Sequence, residues 1–318
     1  MKILVAVDSS KDAREAIRYV ASVEWPKKSE IYLLHVIELK DAPPLMPSGG
    51  PFNWHQVIDR ARGKLVAKAE IFLKRTKKEI LKLQPLHVQS LVREGLPGAE
   101  ILQAAKDYQS DLIILGTRGL SNIKRFLLGS TSDWVMRDAS CSVLLVRGKL
   151  SRAMMGKTAA KILLATDGSS DVSHLVHMLR LLTCRTPPKV TVAHVIGRPA
   201  YLEGWYFGNG KAEFMRLAER LLKKMEKDGA SHLENMRQRV KKFNMKVDTV
   251  LTKGDPADEI LKTAERLKAA LIIVGSKGFK GSKPIPLGGV VRKIARYAPC
   301  SVLIIRPGRP QVSQAITG

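Results

Sequence analysis

The feature that most limits what this chain can fold into is a repeat. KILVAVDSS (2–10) matches KILLATDGSS (161–170), LLHVI (33–37) matches VAHVI (192–196), and REGLPGAEIL (93–102) matches TKGDPADEIL (252–261). DLIILGTRG (111–119) matches ALIIVGSKG (270–278), and ASCSVLLVR (139–147) matches APCSVLIIR (298–306). Each pair is offset by 159 residues. Chance does not keep one register across blocks this far apart, so the chain is two copies of one domain. A length of 318 residues is comfortable for two α/β domains. The reading places them at 1–148 and 159–318, with the basic stretch 149–158, which lacks apolar periodicity, as a linker.

Within each copy, short aliphatic runs alternate with helical segments. In the first copy ILVAV, IYLLHVI, LHVQSLV, LIILG and SVLLV read as strands. They are nearly continuous in apolar residues, as parallel strands covered on both faces must be. The segments between them include SSKDAREAIRYVASV with hydroxyls at its start, a long stretch from about His55 to Leu83, PGAEILQAAKDY opened by Pro97, and STSDWVMRDA. The expected fold is α/β: two tandem, doubly wound, five-stranded parallel sheets, Rossmann-like, with strand order 3-2-1-4-5. Ligands of such sheets bind beyond the carboxyl ends of the strands, where the strand order reverses. Asp8 follows the first strand and Gly116 ends the fourth, so both belong to that reversal.

The stretch GTRGLSNIKRFLLGST (116–131) sits at the expected site. Gly116 and Gly119 let the backbone approach a ligand without a Cβ in the way. Gly129, Ser130 and Thr131 then open a helix whose unpaired N–H groups and positive dipole end favour an anion. Arg118, Lys124 and Arg125 add positive potential inside the loop. Turn geometry alone also places glycines in such loops, and Asp8 is equally suited to cap the first helix.

The spacing Gly116-x2-Gly119-x9-Gly129-Ser130 resembles the G-2x-G-9x-G-(S/T) pattern of the ATP-binding universal stress proteins. The Asp after the first strand, the His-Val late in the second and the Ser-Val-Leu-Leu-Val last strand are similar to that family as well, in both halves. The resemblance is to its tandem members. It implies the adenine nucleotide alpha hydrolase-like variety of the fold, with ATP or another adenine nucleotide as ligand and Mg2+ as a cation such a ligand can carry. It further implies that Asp8 and the backbone of Val36 face the base and ribose, and that Gly116, Arg118, Gly119, Gly129, Ser130 and Thr131 hold the phosphates. The second-half counterparts are Asp167, Val195, Gly275, Gly278, Gly288 and Gly289. There the pattern departs: Gly289 replaces the hydroxyl residue, Val290 follows it, and Pro284 and Pro286 stiffen the loop. Lys277, Lys280 and Lys283 keep that loop basic, so the second site is read as degenerate but still able to attract an anion. The family also implies a nucleotide-gated role in stress or signalling rather than a defined metabolic reaction.

Other features constrain the reading. The charge of +25 attracts polyanions, or it belongs to solvated lysine-rich faces. The second helix of each half is long and basic, at 68–82 and 220–242, and offers a nucleic-acid or membrane-surface binder as a rival function. Aromatics make up 5% of the chain, too few for base-stacking platforms. Slow ATP hydrolysis or phosphoryl transfer is the enzymatic rival, with Asp133 the acid in the loop region. GKT at 156–158 is not a P-loop, because Ser151 stands where the first glycine belongs and a strand follows it. His35 and His194 read as packed core histidines, Cys141 and Cys300 as small buried residues, and no metal site is expected. His174, His177 and Cys184 have no partners of suitable spacing. The segments 41–56 and 197–211, rich in Pro, Gly and aromatics, read as flaps near the base end of the ligand. The last strands, SVLLVR and SVLIIR, present aliphatic edges suited to pairing the domains as an internal pseudo-dimer, with a homodimer and an unknown protein partner as further options. Three cysteines, no secretory signal and no long apolar run point to a cytoplasmic protein.

Overall fold

A computed structural model describes residues 1–38, 54–117, 128–167, 176, 178–179, 186–197, 211–243, 245–276 and 287–306. The chain divides into two compact units, the first covering Met1–Ser151 and the second beginning at Arg152.

In the first unit the strands are β1 (Lys2–Ala6), β2 (Glu30–Glu38), β3 (His87–Gly95), β4 (Leu112–Gly116) and β5 (Ser142–Val146). All are parallel, in the order β3-β2-β1-β4-β5. β1 lies between β2 and β4, with Ile3 opposite both Ile31 and Leu112, so the strand order reverses there as the sequence predicts. Ile3, Leu4, Val5, Leu33, Ile113 and Leu144 are fully buried, which is why these strands carry no polar alternation.

The helices are α1 (Lys11–Ser22), α2 (Trp54–Leu83), α3 (Pro97–Asp107) and α4 (Ser130–Asp138). The Ser10 side chain caps α1 by accepting from the Ala13 N–H at 3.1 Å. α2 buries Ala69, Leu73, Thr76 and Ile80, a spacing of three and four residues that lays one face on the sheet. Gly95 joins β3 to α3 at φ +150°, and a Cβ there would stand 3.0 Å from Glu100. Its counterpart Gly254 has φ +145° against Glu259, so this turn needs glycine in both copies.

The second unit has β6 (Lys161–Ala165), β7 (Lys189–Ile196), β8 (Lys246–Lys253), β9 (Leu271–Gly275) and β10 (Ser301–Ile305). They pair in parallel in the order β8-β7-β6-β9-β10, the same topology again. The described helices here are α5 (Leu150–Met155), which begins at the unit boundary, α6 (Lys211–Lys241), α7 (Pro256–Leu267) and α8 (Gly289–Tyr297). α5 occupies the stretch read as a linker: the Ser151 backbone N–H and hydroxyl both donate to Glu15 Oε1, at 2.8 and 2.6 Å. The GKT at 156–158 lies between α5 and β6, not at the end of a strand.

The strands keep the offset of 159, but the long helices do not. Buried Ala69, Leu73, Thr76 and Ile80 correspond to buried Gly229, Leu233, Met236 and Val240, an offset of 160. A strand inside a sheet cannot slip by one residue without turning its core face outward. A helix laid over that sheet can take up an extra residue in the connection before it and lose one in the connection after it, where the strands return to the offset of 159.

Candidate functional site

The carboxyl edge of β2, β1 and β4 collects the residues named from sequence. β1 pairs with β2 only as far as Leu34, and the Val7 N–H adds one more bond to the Leu34 carbonyl at 2.8 Å. Val36 therefore lies two residues beyond the last β1 partner, half-buried, and is in register with Arg93 of β3. Asp8 follows Val7 at the end of β1 and is half-buried. It does not cap α1, since Ser10 does. Instead its Oδ1 accepts the Ser10 N–H at 3.0 Å and shapes the turn that places Ser10. His35 Nδ1 lies 2.8 Å from the Val7 carbonyl oxygen, so that nitrogen carries the proton and the ring is held inside the edge.

Gly116 ends β4, and a Cβ on it would fall 2.8 Å from Asp12 Cβ and 3.0 Å from the Ala13 nitrogen. Its glycine character is thus explained by the close approach of α1. The next residue, Thr117, is 2% exposed and was not among the residues singled out from sequence. Its hydroxyl donates to Asp12 Oδ2 at 2.8 Å and accepts from Arg147 Nε at 3.4 Å. The Thr117 carbonyl accepts from the Gly129 N–H at 2.9 Å and from the Ser132 hydroxyl at 3.1 Å. These bonds draw the two ends of the glycine loop together, so Gly116 and Gly129 lie close to each other. The signal for Thr117 was in the repeat: a hydroxyl residue follows the glycine in both copies, Thr117 and Ser276.

Gly129 is the N-cap of α4, and no side chain caps that helix. Ser130 is exposed and Thr131 half-buried, so the first-turn amides and both hydroxyls stand at an open helix start. Asp133 lies in the same turn, 3.6 Å from Arg137, as an i,i+4 ion pair on the helix surface. Arg118, Gly119, Lys124 and Arg125 lie outside the described residues, as does the flap through residue 53.

The second unit repeats the frame with different chemistry. β6 pairs with β7 to Ala193, the Thr166 N–H donates to the Ala193 carbonyl at 3.0 Å, and half-buried Val195 again lies two residues beyond. Asp167 is exposed. His194 Nδ1 lies 2.9 Å from the Thr166 carbonyl oxygen, as His35 lies against Val7. Phe72, which stacks edge-on against His35 at 5.5 Å between ring centres, becomes His232, 5.7 Å from His194 and 3.1 Å by Nε2 from the Thr166 hydroxyl. Burial, and next the neighbouring His194, hold His232 below the usual histidine range against the opposing pull of Asp167.

Gly275 ends β9 opposite Ile305, Gly288 caps α8 without a side-chain bond, and Gly289 opens it with clear space where a Cβ would go. Ser130, Thr131 and Ser132 of the first unit become Gly289, Val290 and Val291, so every hydroxyl at the helix start is gone. Gly278, Lys277, Lys280, Lys283, Pro284 and Pro286 lie outside the described residues, with the flap 198–210, His174, His177 and Cys184. Cys300 is buried and Cys141 half-buried. Among the described residues no three His, Cys, Asp or Glu side chains converge as metal ligands, and no helix is long and apolar enough to cross a membrane.

Fold and site together define a tandem Rossmann-like α/β protein with an uncapped helix start at each strand-order reversal. The chain belongs to the universal stress protein family, whose sequence model matches residues 1–147 and 158–306. It is 30% identical over 157 residues to universal stress protein MJ0577 of Methanocaldococcus jannaschii, covering 47% of this chain and 96% of that protein. A universal stress protein of Mycolicibacterium smegmatis matches at 26% identity over 319 residues, 96% of this chain and 97% of the relative, and so shares the tandem layout. A solved universal stress protein from Archaeoglobus fulgidus has the same fold, with a TM-score of 0.64 at 22% identity, covering 96% of this chain and 98% of that one.

Proposed function

We propose that the first domain binds an adenine nucleotide, and that occupancy of this site governs the protein's interaction with a partner in a stress or signalling response. The observation that carries the reading is the start of α4: a helix N-terminus with no side-chain cap, tied by Gly129 and Ser132 to the residue after Gly116. Amides there direct partial positive charge outward, and the Ser130 and Thr131 hydroxyls add donors for phosphate oxygens. Val36 lies beyond the last β1–β2 pair, and Asp8 follows β1 at the same carboxyl edge of the sheet; a main-chain edge and a carboxylate suit a base and a ribose hydroxyl. In the second domain the backbone frame survives while the hydroxyls do not, so it binds the same ligand more weakly.

Calorimetric titration of ATP tests this with wild type and Ser130→Asp. A carboxylate at the first helical position stabilises the helix by about 0.3–1 kcal/mol but repels phosphate. The variant should melt no earlier than wild type and lose at least about tenfold in affinity, about 1.4 kcal/mol. Equal affinity in the two proteins would remove α4 from the site.

A further inference from the structure

We propose that the outer ridge of α2 is a docking strip for nucleic acid, gripped through its sugar-phosphate backbone. Arg60, Lys64, Lys68, Arg75, Lys78 and Lys82 are all exposed. At about 100° per residue they fall within an arc of about 80°, and at about 1.5 Å per residue they run for about 33 Å. No carboxylate interrupts that arc. The seventh position of the row is Ile71, 52% exposed. Among the described residues none of the six cations forms an ion pair, whereas neighbouring Arg62, off the ridge, pairs with Glu94 at 2.7 Å.

The second copy supplies the control. Shifted by the helix offset of 160, the same row on α6 reads Arg220, Lys224, Asp228, Ser231, Asn235, Gln238 and, just past its end, Lys242. All seven are exposed, so this row meets water just as the first does, yet it mixes cations with an acid and neutral groups. Solvation alone therefore does not require an acid-free cationic row.

The shape of the row selects its partner. Duplex nucleic acid carries one negative charge per about 1.7 Å of axis, so a straight row of about 33 Å lies along a rod of high negative charge and meets both backbones where they cross it. A bilayer would need a broad basic face with apolar side chains to insert. Here Glu79 borders the row, Ile71 is the one apolar side chain within it, and the apolar face through Leu73 and Ile80 is buried. With no aromatic in the row, binding follows the backbone and not the bases. This strip is separate from the nucleotide gap, and its variants should leave ATP affinity unchanged.

The test is fluorescence anisotropy of a labelled mixed-sequence DNA duplex of about 30 base pairs, long enough to exceed the strip, titrated across a salt series. Three proteins are compared: wild type, Lys68→Gln/Arg75→Gln/Lys78→Gln on α2, and Arg220→Gln/Lys224→Gln/Lys242→Gln in the second copy. Both variants have the same net charge. Wild type should bind with a steep salt slope. The α2 variant should bind more weakly, with a slope shallower by up to about 2.7, at about 0.9 for each phosphate no longer neutralised. The second-copy variant should follow wild type. Melting curves check folding, and Lys64→Gln/Lys82→Gln repeats the reading with different positions. Equal losses in the two triple variants, absence of duplex binding by wild type, or binding to vesicles containing phosphatidylserine in place of duplex would each overturn the proposal.

Discussion

The two domains share a backbone frame and differ in what projects from it. At the helix start after the glycine loop, Ser130-Thr131-Ser132 face Gly289-Val290-Val291 across the repeat. In the first domain the Ser132 hydroxyl and the Gly129 amide close the loop on the Thr117 carbonyl. In the second, Val291 cannot make the corresponding bond, and Val290 is 39% exposed where Thr131 offers a hydroxyl. Strands, turns and their glycines are retained, because each is fixed by packing within its own domain. Ser130 is exposed and Thr131 half-buried, so these two side chains are not fixed by packing and duplication left them free to diverge, whereas buried Ser132 gave way to an equally buried valine.

The largest effect expected from exchanging features between the copies lies in α3 and α4. A Cβ on Gly98 would fall 2.6 Å from the Trp134 ring. The second domain has Ala257 and Lys293 at these positions, and Lys293 turns to Asp255 and Asp258 at 3.2 and 2.8 Å. Gly98→Ala should destabilise the first domain by about 1–3 kcal/mol, as overpacking does. Adding Trp134→Lys should recover part of that loss, a non-additivity that a double-mutant cycle in urea reads directly. Additive losses would show that the two positions do not constrain each other.

An intermediate effect concerns acid. His232 is held below its ordinary value of 6.5, so the folded state prefers it neutral. As pH falls through that value the unfolded chain takes up the proton first, and stability falls with it. Above that value the contribution is fully present. Replacing His232 by the Phe found at the equivalent position 72 should flatten the loss of stability of the second domain below pH 6.5, measured by thermal melts across pH. An unchanged acid limb would assign the sensitivity elsewhere.

The smallest expected effect is a gain. Gly289 has open space where a Cβ would go, so Gly289→Ser adds a hydroxyl without a clash. The second domain should then bind ATP a few-fold more tightly, in keeping with about 0.5–1.5 kcal/mol for one hydrogen bond. Calorimetry resolves the second site as a change in stoichiometry or curvature, and an unaltered isotherm would show that the hydroxyl is not what the second domain lacks.

The sheet order and the duplication were legible because parallel strands in a sheet keep a strict register, and Asp8, His35, Gly95 and Gly116 mark it in both copies. The loop ends were legible from Gly116 and Gly129, which the fold brings close together through the residue after Gly116. What holds them there was not, because Thr117, Asp12 and Ser132 act through bonds between residues far apart in sequence: Thr117 meets Asp12 across 105 residues. Nor was the slip of the long helices, since a helix repeats its buried face every few residues and tolerates a one-residue insertion. The need for glycine at 116 was legible but its cause was not: the absent Cβ makes room for α1.

The most direct test of the nucleotide reading uses no mutation. Purified protein is denatured, and the small molecules it releases are separated and identified by mass. An adenine nucleotide is expected at about one per chain, held by the α4 helix start. Protein that releases none, and that takes up none when incubated with ATP before gel filtration, would contradict it.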